Sequence, residues 1–221
     1  MMRFGTGILV LAALAAGCAA GLKESGVADP AVARAALRNT APAQPLRIVF
    51  DWRVREREGR FRGQGVARLQ PPAHARIDLF GPRGEGLLSA ALVDGTVRMP
   101  PTRQAVDVPP PAMMWAVLGV VAPPEDARLV STTQQGARVR LDYQAGDGHL
   151  RYELDQGRLR GVRWDAPGNR RLTVELKGDA GHGTPARAVY RDWSGDVELV
   201  LDLKQVQDVD PYPPETWVPA R

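Results

Sequence analysis

The sequence predicts a mainly β fold of many short antiparallel strands, arranged as a sandwich or as a curved sheet closing toward a barrel. Two observations carry this. Apolar and polar residues alternate with a period of two in about ten or eleven short runs, as half-buried strands require. Pro and Gly are both plentiful, 19 and 23 of 221 residues, which suits frequent turns and disfavours long helices. The strand count favours the barrel. With 44% hydrophobic and 24% charged residues, the composition is that of one mid-sized folded domain with a real core. The formal charge is +4 and its positive side is nearly all Arg, since Lys occurs only at Lys23, Lys177 and Lys204. That bias fits a solvated strand face, or a surface turned toward anionic lipid or another acidic partner. Neither motif nor aromatic interleaving points to nucleic acid.

Met1–Cys18 opens with a positive charge at Arg3, continues with an apolar run from Phe4 to Ala16, and ends in small residues. This is the pattern of an export signal, too short to span a bilayer stably. The chain's single cysteine stands at its end. Leu14-Ala15-Ala16-Gly17-Cys18 resembles the bacterial lipobox, with Ala15 where Leu is usual, and the resemblance implies cleavage before a lipid-modified Cys18. A plain export signal or a buried free thiol is the alternative. A lone cysteine in an exported chain has no internal disulfide partner, which acylation accounts for. One acyl chain anchors a protein only marginally; the three that the resemblance implies would hold it lastingly. Ala19, in place of Asp, points to the outer membrane under enterobacteria-like sorting.

Ala19–Val27 reads as a flexible tether. Asp29-Pro30 is a helix start, Asp29 as N-cap and Pro30 at the first helical position, for a short helix over Ala31–Arg38 that Asn39–Pro45 ends. Leu46, Ile48, Phe50, Trp52 and Val54 alternate with polar residues in the clearest strand, which a charged hairpin at Glu56–Arg60 closes. Phe61 to Leu69 and Ala73 to Leu79 alternate likewise, with Pro71-Pro72 between them. Phe80-Gly81-Pro82-Arg83-Gly84 is a tight turn into Gly86–Val93, and Asp94-Gly95 is a hairpin signal before Thr96–Met99. Gln104–Val108 is a further strand-like piece. Prolines at 109 to 111 and Gly119 bracket Ala112–Leu118, a helix apolar all round and far too short to cross a membrane, hence buried. The second half repeats the habit: Leu129–Thr133, Ala137–Tyr143, Leu150–Leu154, Arg158–Trp164 with a phase slip near Gly161 that suggests a bulge, Leu172–Leu176, Ala186–Trp193 and Val197–Val206. Gly178–Pro185 is a loose loop, and the Pro-rich end reads as an irregular tail.

The order of these elements is similar to that of the LolA/LolB family of periplasmic lipoprotein carriers and receptors. The similarity spans roughly Leu46–Val206, carried by the strand–turn–strand Leu79–Leu92 and by Trp115-Ala116-Val117-Leu118-Gly119, which resembles the Trp-containing apolar helix of the receptor. The resemblance implies an incomplete antiparallel β-barrel with one or two short capping helices. The receptor is itself an outer-membrane lipoprotein whereas the carrier is soluble, so the lipobox points to the receptor branch. Where the receptor exposes Leu on a Pro-Leu-Gly turn, this chain has Pro82-Arg83-Gly84 as the membrane-facing turn. Arg enters acyl chains less readily than Leu but can pair with lipid phosphates.

Catalytic signatures are missing from the sequence. His74, His149 and His182 lack metal-ligand spacing, and no serine sits in a nucleophile-elbow pattern. Asp208 and Asp210 lie in a Pro-rich setting that reads as solvated tail. The expectation is a non-enzyme without cofactor or metal. The domain reading is a signal peptide over 1–17, a lipidated tether and short helix over 18–45, a half-barrel over 46–209 and a tail over 210–221. An apolar cavity lined by Ile48, Phe50, Trp52, Leu69, Ile77, Leu79, Met114, Trp115 and Leu118 would accept acyl chains of lipids or lipoproteins. The protein would be lipid-anchored at the periplasmic face of the outer membrane, with a periplasmic carrier or envelope protein as partner. The competing expectation is a scaffolding lipoprotein with a filled core that docks an envelope partner through its Arg-rich face.

Overall fold

Two β-meanders meet back to back in a single sheet. The computed structural model describes residues 27–100 and 108–219, and within them one twelve-stranded antiparallel sheet. The first meander is β1 (Leu46–Glu56), β2 (Gly59–Gln70), β3 (His74–Phe80), β4 (Gly86–Val93) and β5 (Thr96–Arg98). The second is β6 (Arg128–Gln135), β7 (Arg138–Ala145), β8 (Gly148–Asp155), β9 (Arg158–Ala166), β10 (Arg170–Lys177), β11 (Arg187–Asp192) and β12 (Val197–Asp208). Their order is β5-β4-β3-β2-β1-β12-β11-β10-β9-β8-β7-β6, so the two meanders join only where β1 pairs with β12. β5 and β6 are left as edges and the sheet does not close, which makes the fold an incomplete barrel with slightly more strands than the alternation suggests. The strand-like piece Gln104–Val108 lies, but for its last residue, outside the described residues, as do Cys18 and the whole leader.

The expected inward face is the core. Leu46, Ile48, Phe50 and Trp52 of β1 are all buried, with Ala67 and Leu69 of β2, Ala75 and Ile77 of β3, and Leu201 of β12 around them. Burying an aromatic or aliphatic side chain of this size stabilises the fold by roughly 1.5–3 kcal/mol. The two aromatic rings fit because β2 presents glycine beside each. A Cβ on Gly65 would lie 2.3 Å from the Phe50 ring, and one on Gly63 would lie 1.9 Å from the Phe80 carbonyl oxygen and 2.9 Å from Trp52. The Trp52 indole N–H donates to the carbonyls of Gln64 (2.9 Å) and Phe80 (3.1 Å), which locks the ring across β2 and β3.

Four register shifts interrupt the ladder, and two of them set the faces of β9 and β12. On β9, Leu159 and Gly161 oppose consecutive residues of β8, so Arg160 is the extra residue where the phase slip predicts one. On β12, Lys204 is extra between the Leu203–Phe50 and Gln205–Val49 pairs, which lets Leu199, Leu201, Leu203 and then Val206 pack toward the core. The outward face consumes much of the arginine. Asp142 receives Arg151 and Arg140, Asp165 receives Arg163 and Arg171, Asp202 receives Arg53 and Arg187, and Arg191 bridges Glu198 and Glu175. Exposed opposite charges of this kind, within a strand or across two, each contribute a few tenths to about 1 kcal/mol.

Two helices lie against the core. α1 (Pro30–Thr40) starts as the sequence predicts: the Asp29 carboxylate accepts from the backbone N–H of Ala31 (2.8 Å) and Val32 (3.3 Å). α2 (Pro111–Val117) sits in the return from edge β5 to edge β6 and packs on β9, β10 and β11; Ala112 to Val117 are all buried. The Pro-rich C-terminal segment folds onto the outward side of β3 and β4 through a 3-10 turn at Pro214–Trp217. There Trp217 stacks on His74 at 5.2 Å and packs with Ala91 and Val93, while the Tyr212 hydroxyl donates to the Leu46 carbonyl.

Substituting Gly65→Ala is expected to destabilise the protein by about 1–3 kcal/mol, because the Phe50 ring cannot yield without leaving its packing. Gly86→Ala, where an added Cβ meets nothing within 4 Å, is expected to stay within about 0.5 kcal/mol of the parent. Urea unfolding of the two variants side by side measures the difference, and equal midpoints would show that the β2 glycines carry no packing role.

Candidate ligand cavity

A cavity of about 1020 Å³ opens on the helix-bearing side of the sheet, at the upper end of the roughly 300–1,000 Å³ typical of small-molecule sites. Its apolar walls come from Leu37 and Ala41-Pro42 at the end of α1, from Pro111, Ala112 and Trp115 of α2, from Val120 to Pro124, and from Trp164 and Pro167 at the end of β9. The β2–β3 turn (Pro72-Ala73), the β4–β5 turn (Asp94-Gly95) with Thr96, and the β7–β8 turn (Ala145 to Asp147) complete it. The first two turns and the third stand at opposite ends of the strand ladder, so only a strongly coiled sheet brings them to one opening.

Local chemistry fixes each wall. Gly119, with φ +89, ends α2 and turns the chain, and a Cβ there would lie 3.0 Å from the Pro185 ring. The next residues are tied to α1, because the Thr40 hydroxyl accepts from the Val121 N–H at 3.0 Å and itself donates to the Ala36 carbonyl. Asp94 and Gly95, with φ 49 and 75, form the hairpin turn that the Asp-Gly pair predicts. The Ala127 N–H closes a turn on the Pro124 carbonyl that presents Glu125 and Asp126. Below the Val120–Pro124 wall, Tyr152 is fully buried, edge-on to Tyr143, with its hydroxyl beside the Ala122 backbone but without a well-formed hydrogen bond. Burial, and the neighbouring Tyr143, hold the Tyr152 phenol far above its usual ionisation, and burial raises Tyr143 too, so both stay neutral.

Among the described residues, four carboxylates, Asp94, Glu125, Asp126 and Asp147, line the opening together with one cation, Arg38. Glu125 Oε1 lies 3.9 Å from where a Cβ on Gly95 would stand, so the two acidic turns face each other closely.

Of the residues the sequence assigns to the cavity, Trp115 lines it. Ile48, Phe50, Trp52, Leu69, Ile77, Met114 and Leu118 are buried in the packed core beneath, and Leu79 packs against that core. The Pro82-Arg83-Gly84 turn is exposed and stands away from the cavity wall; the Arg83 N–H donates to the Glu85 carboxylate at 2.9 Å. Trp164 and the Val120–Pro124 wall escape the sequence reading. The bulge at Arg160 hides the inward phase of Trp164, although the Pro123-Pro124 pair after an apolar helix marks a segment that cannot join a strand ladder. Among the described residues no helix is long and apolar enough to cross a membrane, and no three acidic, His or Cys side chains could hold a metal ion.

Trp164 stands where it does because Gly148, two residues before its β8 partner Leu150, leaves room for the ring: a Cβ at Gly148 would lie 2.7 Å from the indole nitrogen. Gly148→Ala is expected to push the indole toward the cavity, read as a shift in tryptophan emission that a further Trp164→Phe change removes. Unaltered emission would mean that the indole has slack.

No protein-family model matches the chain, and no curated protein sequence matches it. Solved structures do. A LolA superfamily protein from Nitrosomonas europaea superposes with a TM-score of 0.58 at 10% identity, covering 87% of this chain and 98% of its own. A domain named for outer membrane lipoprotein sorting, from Vibrio parahaemolyticus, gives 0.54 at 5% identity over 85% of this chain and 94% of its own. A DUF1329 family protein from Desulfovibrio piger gives 0.51 at 8% identity over 84% and 95%. At these identities the likeness is one of architecture, and the chain has a LolA-like fold.

Proposed function

We propose that this protein binds acyl chains of lipids or lipoproteins in the cavity between α1, α2 and the ends of β9, and serves lipoprotein localisation as a lipid-anchored protein of the outer membrane. The observation that carries the reading is the cavity itself: about 1020 Å³ with mostly apolar walls and two tryptophans, beside a core of buried side chains. A hollow of that size lined by Trp115, Trp164, Val120 and proline rings gains most from displacing water with hydrocarbon. Neighbours of LolA-like fold, one of them named for lipoprotein sorting, support the reading. The lipobox-like Leu14–Cys18 supports the anchor and the receptor-like branch. Among the described residues the walls and opening show no nucleophile–base pair, which favours binding over catalysis.

Titrating the protein with a fluorescent fatty acid is expected to give saturable enhancement at micromolar probe, competed by palmitate. A flat titration would overturn the binding role. Cys18→Ser is expected to move the protein from the membrane pellet to the soluble fraction, and retention in the pellet would overturn the anchor.

One observation favours a second reading. Seven of the nine side chains expected to line the hollow are packed core, as in a scaffold that docks an envelope partner through its Arg-rich outer face. Purification from solubilised membranes separates the two: bound lipid favours the first, a stoichiometric protein partner without lipid the second.

A further inference from the structure

We infer that the cavity selects amphiphiles whose head carries a positive charge. The inference rests on the acyl-binding reading above and deepens it. Its first support is a local inversion of charge. The chain is net positive, and its outward strand face sets arginine against aspartate or glutamate. At the cavity opening the balance among the described residues reverses: Asp94, Glu125, Asp126 and Asp147 stand with Arg38. Among the described residues Glu125, Asp126 and Asp147 take part in no ion pair, and the nearest basic neighbour of Asp94 is His74, its ring nitrogen 3.8 Å away. Arg38 already has a role at the C-terminal turn of α1, where a cation complements the helix dipole.

The second support is independent of the carboxylates. The cavity walls carry two indoles, Trp115 and Trp164. Indole faces attract ammonium groups as well as hydrocarbon. Like charges held at one opening repel unless a cation joins them, and low-dielectric walls focus the resulting field on whatever enters. A chain that enters the cavity past these walls therefore leaves its head near the carboxylates of the opening. A quaternary-ammonium lipid head and an acylated peptide bearing lysine next to its acyl chain share this chemistry.

The test compares dodecyltrimethylammonium, laurate and dodecyl maltoside, each below its micelle concentration, by calorimetry and tryptophan emission on the full chain at low salt. A second arm compares N-lauroyl-Lys-Lys with N-lauroyl-Glu-Glu. Cationic probes are expected to bind at least about tenfold more tightly than anionic ones of equal chain length, a preference that salt weakens. In the exposed-site variant Asp94→Asn, Glu125→Gln, Asp126→Asn, Asp147→Asn the ratio is expected to fall toward one. The net positive charge of the chain works against this outcome, so nonspecific attraction cannot produce it. A preference confined to the first arm identifies a lipid head, and one confined to the second identifies a peptide. Equal binding, or preference for the anions, with dodecyl maltoside still bound, overturns the charge selection alone. If none of the probes binds, the acyl-binding reading falls with it.

Discussion

The pairing of β1 with β12 holds the molecule together. Each meander is local in sequence and can form hairpin by hairpin, but neither alone buries its apolar face. The seam joins strands far apart in the chain, such as at Arg53 and Asp202, whose side chains meet 149 residues apart in sequence. It also places Phe50 and Trp52, the largest core aromatics of the first meander, at the centre of the sheet. Those rings need Gly63 and Gly65 on the next strand, and the Trp52 N–H needs two carbonyls on β2 and β3. A rigid centre results, from which the outer strands curl.

That seam forces a return path across the molecule. With β1 and β12 in the middle, β5 and β6 become opposite edges, and the chain must cross from one to the other. The crossing carries α2, apolar on every side because it runs between the sheet and the cavity instead of along the surface. The free edges are blunted in the usual ways: β5 is only three residues long, and β6 is flanked by the segment before α1, whose Val27 carbonyl and Asp29 N–H both bond the Thr132 hydroxyl. An open sheet with protected edges keeps a mouth that a closed barrel of the same strands would lose.

Much of this architecture is legible in the residues, because a period of two has one physical cause. The β1 alternation, the Asp29-Pro30 cap, the Asp94-Gly95 turn and the Gly161 bulge are all local, and each appears where the local chemistry puts it. The location of the cavity is not local. Alternation tells which side chains point inward but not how far α2 fills the space they point into. Ile48 and Phe50 therefore look the same in sequence whether they line a hollow or a core. Trp164 and Lys204 show the other limit: a single extra residue in a strand shifts every later side chain to the opposite face. Trp217, in a Pro-rich tail without periodicity, owes its burial to His74 and Tyr212, partners distant in the chain or fixed only by the fold.

The electrostatics of the mouth extend the same lesson from packing to charge. Asp94, Asp147 and the Glu125-Asp126 pair each sit in a turn, where acidic residues are common for backbone reasons alone. Taken one at a time they need no further explanation. Their convergence does, since the β4–β5 and β7–β8 turns belong to opposite ends of the ladder and meet only through the coiling that the β1–β12 seam imposes. On the strands, where neighbours are fixed by register, carboxylates such as Asp142, Asp165 and Asp202 have arginines across from them. At the mouth, where neighbours are fixed by curvature, Glu125 faces the acidic Asp94-Gly95 turn instead. The same sheet that neutralises its outer surface thus concentrates negative charge at the entrance to its apolar interior, and any molecule entering there meets the charge before the hydrocarbon.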